Sequence, residues 1–235
     1  MNTAVRKFWL WALVMLLGGA TMAFGQHDTM TLKPLPSGQP NLGGVFTGAY
    51  PFSINGSSTI TNAVCDDYKD DIYVGESWTA NVTQLSSLSA GTANSNLYFG
   101  TASNQQQLYD EAAYLVQEMY SSPLGASVSD VSYAIWNLFD PGADSGLSSG
   151  DQSMVTNLLN LASANGQTVN TSNFEILSYD TGTAISCPSG DTCGRPQEFI
   201  VETPEPSSVV LLATGLLGLF ALNFVRRRRL VQPVL

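Results

Sequence analysis

The sequence predicts an α+β fold: a β-rich exported domain with about three short helices between two groups of strands, an N-terminal signal peptide and a C-terminal single transmembrane helix. Three observations carry this prediction. Runs rich in β-branched and aromatic residues lie on both sides of a central region with helical periodicity. At each end of the chain a continuous apolar run adjoins basic residues.

The N-terminal end has the order of parts of a secretory signal peptide. Arg6 and Lys7 precede an apolar run at 8–17, and the small-residue stretch GGATMAFG follows it. We predict residues 1–25 to be a signal peptide that enters the Sec translocon. A retained N-terminal anchor is the alternative. Export places the folded part in an oxidising compartment.

Residues 26–44, QHDTMTLKPLPSGQPNLGG, contain three prolines and show no clear period. We therefore predict a flexible leader here, followed by one extracytoplasmic domain at 45–202.

The domain begins and ends with strands. Residues 44–54, 58–65 and 72–85 alternate approximately and are rich in residues that favour strands. Asn55-Gly56 between the first two predicts a hairpin turn. Further strands are predicted at 173–180 and 197–203.

Three helices are predicted between these groups of strands. Apolar residues recur at helical spacing from Leu108 to Met119, and Pro123 ends that helix. A second helix begins near Ser129. A third is capped by Ser149 and closes at Gly166.

Charge and cysteine content restrict the partners of the domain. Residues 26–202 hold three basic and 18 acidic residues, a net charge of −15. Such a surface repels nucleic acid, which we exclude as a partner. Cys187 and Cys193 bracket the turn-like loop CPSGDTC and predict a disulfide. Cys65 is left over, either a buried residue or a reactive thiol.

One cluster of carboxylates is a candidate for chemistry. Asp66, Asp67, Asp70 and Asp71 cluster in sequence and offer the oxygen ligands that calcium prefers; a solvated acidic turn is the alternative interpretation. No P-loop, dinucleotide fingerprint or zinc spacing is present, and the chain has one histidine, His27. We predict no enzymatic activity and no cofactor, with calcium as the open option.

The C-terminal end reads TPEPSSVVLLATGLLGLFALNFVRRRRL at 203–230. The uncharged run at about 207–225, as a helix at ~1.5 Å per residue, spans ~28 Å, close to the ~30 Å hydrocarbon core of a bilayer. We predict a transmembrane helix there and a tail at 231–235.

Four arginines orient this predicted span, because basic residues beside a span stay on the cytoplasmic side. They are Arg226, Arg227, Arg228 and Arg229. The C-terminus is thus predicted to lie in the cytoplasm, and the residues before the span outside the inner membrane.

Pro204, Glu205, Pro206 and Ser207, followed by the apolar span and the arginine cluster, resemble the PEP-CTERM sorting signal of bacteria. The resemblance covers 203–230. It implies that an exosortase-type membrane enzyme processes the tail near Pro-Glu-Pro, and that the protein is then released or attached at the cell surface, often in bacteria that make exopolysaccharide. The two prolines keep this stretch extended and free of helix. A plain stop-transfer anchor is the alternative.

The exterior domain carries a second resemblance. Val-Cys-Asp at 64–66 and Ser-Tyr-Ala-Ile-Trp at 132–136 resemble two motifs of the thioester domains of bacterial surface adhesins. Those domains join a cysteine to a glutamine side chain, and the bond then reacts with an amine on a host or matrix partner. The glutamine position is Ser132 here, which has no carboxamide. The resemblance therefore implies the scaffold without its reactive bond; simple core packing of Cys65 and Trp136 is the other interpretation.

Together these features predict an exported, non-enzymatic cell-surface or extracellular-matrix protein. Before processing it is anchored in the inner membrane by one span, and its exterior domain meets exopolysaccharide or envelope material. Two alternatives stay open: a covalent thioester-type adhesin, and an extracellular hydrolase that uses carboxylates such as Glu76 or Glu111.

Overall fold

The computed structural model describes residues 27–121, 126–188, 192–203 and 215. The strands in these residues are β1 (His27–Leu32), β2 (Asn41–Leu42), β3 (Val45–Phe46), β4 (Ala49–Ile54), β5 (Ile60–Cys65), β6 (Ser77–Gln84), β7 (Phe174–Tyr179) and β8 (Phe199–Glu202). The α-helices are α1 (Gln105–Ser121), α2 (Val128–Phe139) and α3 (Ser149–Asn165). The predicted β-rich fold with three helices between two groups of strands is thereby confirmed.

Six strands close into a barrel in the order β1-β4-β5-β8-β7-β6, with every neighbouring pair antiparallel. The last strand, β8, lies between β5 and β7 and so joins the two groups of strands. β2 and β3 form a separate two-stranded sheet. Closure leaves the six barrel strands without a free edge, which is how barrels avoid pairing with other chains.

Alternating side chains fill the barrel. Residues two apart on each strand point to the same face, and these inward pairs are apolar on β1 (Met30, Leu32), β4 (Tyr50, Phe52), β6 (Trp78, Ala80) and β8 (Phe199, Val201). Phe199 lies 4.8 Å from Phe52, 5.9 Å from Tyr50 and 6.4 Å from Trp78 between ring centroids. The interior is therefore an aromatic core built around a side chain of the last strand.

The three helices cover the outer face of β5, β8 and β7. Val64, Ile176 and Ile200 point away from the barrel interior and belong to the same apolar cluster as the buried faces of the helices. α2 begins with a capping box, in which Ser127 Oγ accepts from Asp130 N and Asp130 Oδ2 accepts from Ser127 N. The molecule thus consists of two packed layers, the barrel and the helices, which meet at the outer faces of β5, β7 and β8.

The structure corrects the predicted leader. Residues 27–32, assigned to a flexible segment, form β1, which pairs with β4 and β6 in the barrel. Met30 and Leu32 enter the core, but the third inward position is the polar Asp28, which hides the alternation. The three prolines that are typical of a leader all lie beyond Leu32 and so do not interrupt β1.

Two boundaries also move. β6 begins at Ser77 and not at residue 72, because Gly75, with φ 90°, turns the chain before it. α3 is capped by Ser148, whose Oγ accepts from Asp151 N at 3.3 Å, and not by Ser149. The hairpin turn at Asn55-Gly56 is confirmed, with φ of 52° and 71° at the two residues.

Within the described ranges, none of the helices combines the length and the apolar character that crossing a bilayer requires. The predicted signal peptide at 1–25 and the predicted span at about 207–225 lie outside those ranges, apart from residue 215.

Replacing Phe199 by alanine tests the role of the last strand in the core. We expect Phe199→Ala to lower the free energy of unfolding by about 3–5 kcal/mol, since it empties the centre of the aromatic cluster. Phe46→Ala makes the same chemical change at a side chain that is 50% exposed, and is expected to cost at most about 0.5 kcal/mol. Chemical denaturation measures both; equal losses would contradict the central position of Phe199.

Candidate functional site

Cys65 and the 132–136 segment of α2 come together at the junction of the barrel and the helices. Trp136 Nε1 donates to the backbone oxygen of Cys65 at 3.0 Å. The Cys65 side chain is 1% exposed, packs with the residues of the barrel interior, and donates from Sγ to Asp67 O at 3.0 Å. Burial, with the nearby carboxyl groups of Asp66 and Asp67, raises the pKa of this thiol well above its ordinary value. Cys65 is therefore held as a neutral thiol.

Ser132 lies one helical turn before Trp136, where the family with the reactive bond has glutamine. Its Oγ accepts from the Gly48 N–H at 2.8 Å and donates to Val128 O at 3.1 Å. Both hydrogen-bonding functions of the hydroxyl are thereby used: the bond from Gly48 joins α2 to the segment that leads into β4, and the bond to Val128 lies within α2. The position holds a structural hydrogen bond.

The four aspartates of the acidic segment have different environments. Asp70 pairs with Arg195, whose Nη2 lies 2.6 Å from Asp70 Oδ2. Asp66 and Asp67 are buried, and Asp71 is exposed. In the part of the chain that the structure describes, no three His, Cys, Asp or Glu side chains are grouped so that they could hold a metal ion. Arg195 already neutralises Asp70, and calcium binding by these residues stays a prediction.

Asp66 and Glu198 form a buried pair of acids. Both side chains are fully buried. Glu198 accepts from the Tyr109 hydroxyl of α1 and, at 3.0 Å, from the Tyr98 N–H, whereas neither carboxyl oxygen of Asp66 has a donor among the described residues. The Asp66 carboxyl group can form a hydrogen bond with Glu198 only if one of the two acids is protonated, because two ionised carboxylates have no donor between them.

Burial and the neighbouring acids raise the pKa values of three carboxyl groups at this junction. Burial raises the pKa of Glu198 to about 7 and, with the charges of Glu198 and Asp67, raises that of Asp66 well above its ordinary value. Burial and the hydrogen-bonded Asp70 raise the pKa of Asp67 to about 6. A buried carboxylic acid resists ionisation because the low-dielectric interior disfavours charge.

The carboxylates proposed for hydrolysis lie in separate parts of the fold. Glu76 is buried before β6, where its Oε2 accepts from Tyr73 N at 2.9 Å. Glu111 lies on α1, accepts from Gln107 Nε2 at 2.7 Å, and packs beneath Gly166 at the end of α3. His27 Nδ1 is 3.4 Å from Asp180 Oδ2 at the surface. The structure brings none of these side chains into a shared catalytic arrangement among the described residues.

Cys187 and Cys193 form a disulfide, with their Cα atoms 5.9 Å apart. It closes the loop between β7 and β8. Arg195 follows on this connection, and its guanidinium carbon lies 4.0 Å from the centroid of the Tyr98 ring, so the loop is joined to the acidic segment through one cation.

A polar cleft that the sequence reasoning missed opens at the start of α1. Its volume is about 550 Å³, and its polar lining includes Ser103, Asn104, Gln106, Gln107, Asp110 and Gln167. Two distant segments form it: the chain entering α1 and the turns that follow α3. The amide-rich run Ser-Asn-Gln-Gln-Gln at 103–107 indicates the start of a helix but does not indicate a cleft.

Comparison with known families identifies one segment. The PEP-CTERM protein-sorting motif matches residues 202–229. No curated protein and no solved structure matches the chain. The match confirms the predicted sorting segment, and with it an export signal that anchors the chain in a membrane for sorting. Pro204 to Ser207 and the four arginines lie within the motif and outside the described residues.

The buried acids make the stability of the domain depend on pH. Their folded pKa values lie above the ~4 of an unfolded chain. The stability they contribute is therefore complete below about pH 4 and is lost as the pH rises through 6 to 7. We expect the free energy of unfolding to fall by about 1–3 kcal/mol from about pH 5 to about pH 8.

Asp66→Asn is expected to flatten this dependence, because the amide donates to Glu198 without needing a proton. Asp71→Asn makes the same change at an exposed position of the same segment and should leave the slope unchanged. Denaturant titrations with a calcium chelator present measure the slopes. If the free energy of unfolding of Asp66→Asn depends on pH as steeply as that of the wild type, Asp66 and Glu198 do not share a proton.

Proposed function

We propose that this exosortase-sorted extracellular protein is a non-enzymatic component of the cell surface or extracellular matrix. The observation that carries the proposal is where the sorting motif begins. It starts at Glu202, the last residue of β8, so the barrel is complete before Pro204. Thr203, whose N–H donates to Asn173 O at 2.7 Å, is the last described residue before the motif's prolines. Processing near Pro-Glu-Pro thus leaves a whole domain.

The surroundings of two candidate nucleophiles, Cys65 and Ser132, support a structural role. The Cys65 thiol is buried and neutral, and the Ser132 hydroxyl is committed to two backbone groups. The imidazole of His27 pairs with Asp180 at the surface. A nucleophile needs an adjacent base or a lowered pKa to react. The pKa of Cys65 is raised instead, and the Ser132 hydroxyl contacts backbone groups and not a base.

The route and the final location follow from the two ends of the chain. In our proposal the signal peptide at 1–25 directs the chain to the Sec translocon, and the span at about 207–225 holds it in the inner membrane with the arginines in the cytoplasm. An exosortase-type enzyme then processes the tail. The acidic domain, with its net charge of −15, stays soluble outside the membrane among exopolysaccharide or envelope material.

A covalent thioester-type adhesin is the second candidate. The contact between Trp136 and Cys65 favours it, because the resemblance requires those two segments to meet. Ser132 argues against it, since a hydroxyl cannot supply the acyl group for Cys65.

Replacing Pro204, Glu205 and Pro206 by alanine tests the sorting step. We expect the full-length protein to accumulate in the inner membrane, because the enzyme loses both its recognition residues and the extended backbone that the prolines impose. Fractionation of native cells followed by mass measurement of the protein in each fraction reads out the cleavage.

Replacing Pro34, Pro36 and Pro40 by alanine is the matched control, because these prolines lie near the other end of the domain. That variant should be processed and sorted like the wild type. If the tail variant is also processed normally, the motif has no role in sorting.

The intact mass of the purified protein separates the two candidate functions. We expect the mass that the processed sequence with one disulfide requires, and no labelling of Cys65 by iodoacetamide until denaturant is added, because the thiol is buried and protonated. A mass lower by one ammonia, together with labelling by methylamine in the native state, would establish an internal thioester and overturn the non-covalent assignment.

A further inference from the structure

We propose that the polar cleft at the start of α1 is a binding site for a neutral, hydroxyl-rich ligand: a short stretch of glycan. The cleft has a volume of about 550 Å³, within the ~300–1,000 Å³ range of small-molecule sites. It lies apart from the Cys65 junction, and none of its lining residues belongs to the sorting motif.

Asp110 gives the cleft an unmet demand for a hydrogen-bond donor. Its side chain lines the cleft although the residue is only 7% exposed, and its Oδ1 has no hydrogen-bond partner among the described residues. A buried acceptor without a donor costs about 1–3 kcal/mol. Because Oδ1 is closed off from the cleft, a ligand hydroxyl would donate to the other oxygen of this carboxyl group, Oδ2, and so stabilise the buried acid from the cleft side.

Both walls of the cleft are fixed before any ligand arrives. Gln105 is 2% exposed and holds the incoming chain, accepting from Asn94 N at 2.6 Å and donating to Phe99 O at 2.8 Å. On the opposite wall, a side-chain carbon at Gly166 would lie 3.0 Å from atoms of Glu111, so only glycine lets the end of α3 approach α1 this closely. A preformed site loses little conformational entropy on binding.

The lining chemistry selects the ligand class. None of the described lining residues is basic, so the cleft offers nothing to an anion. Apolar groups are few, with Val169 the largest, so a lipophilic ligand gains little. Side chains such as Gln106 and Gln167 each present a donor beside an acceptor, which matches the neighbouring hydroxyls of a sugar ring.

The source of the ligand rests on the proposed function, which places the protein among extracellular polysaccharide. The existence of the binding site depends only on the cleft. The two can therefore fail separately. Fractionation of cells tests the location, and binding by the purified protein tests the cleft.

The experiment uses the full-length chain in a zwitterionic detergent that contains no sugar. Cellotetraose, maltotetraose, mannotetraose and chitotetraose are titrated, with saturation-transfer NMR to detect contact and calorimetry to measure affinity. We expect at least one of them to bind. Gln106→Ala and Asp110→Ala should each weaken that binding about tenfold, as the loss of one good hydrogen bond predicts.

Gln117→Ala is the matched control, since Gln117 lies exposed on the same helix outside the cleft. It should bind like the wild type. Three outcomes would overturn the proposal: no binding of any of the four sugars, binding that both cleft variants leave unchanged, or saturation by spermidine alone, which would assign the cleft to a cation. Gln106 is half-buried, so its variant is expected to fold and to keep the test decisive even if Asp110→Ala does not.

Discussion

The structure depends on one buried carboxyl group, that of Glu198. It precedes the strand that closes the barrel, and it accepts hydrogen bonds from Tyr109 of the helical layer and from the backbone of Tyr98 in the chain that leads to α1. Its neighbour Asp66 follows directly on β5, the other strand of that junction. A single acid therefore links the barrel, the helices and the long connection between them. Such a group is stable in the interior only while its partners are in place, so the two layers are expected to form and unfold together.

Much of the secondary structure was accessible from the sequence, because local periodicity determines it. The inward pair on β8 and the heptad-like spacing on α1 could be recognised without knowledge of the fold. Barrel closure could not be recognised, since the pairing of β5 with β8 joins residues more than a hundred positions apart and leaves no local pattern. β1 was missed for a related reason: a polar inward residue and nearby prolines concealed a strand whose partners lie elsewhere in the chain.

The candidate sites show the same division. The sorting motif is contiguous, and its order of parts could be recognised directly. The local sequence at Asp66 predicts a calcium ligand or a solvated turn and not a buried acid, because its burial beside Glu198 depends on a residue from the other group of strands. The polar cleft combines the start of α1 with the turns after α3, so none of its segments alone indicates a concave surface. The Cys65–Trp136 contact is an intermediate case. Two short sequence motifs predict that these residues lie close together, but the contact itself depends on the packing of α2 against β5.

The absence of a spacer between β8 and the sorting segment has a mechanical consequence. A force applied to the tail would enter the domain along a strand that is hydrogen-bonded to neighbours on both sides. Antiparallel bonds run perpendicular to the strand, so this pull loads many of them in parallel instead of opening them one after another. The barrel is therefore expected to resist a pull on the chain beyond β8 as one unit, without losing its last strand first.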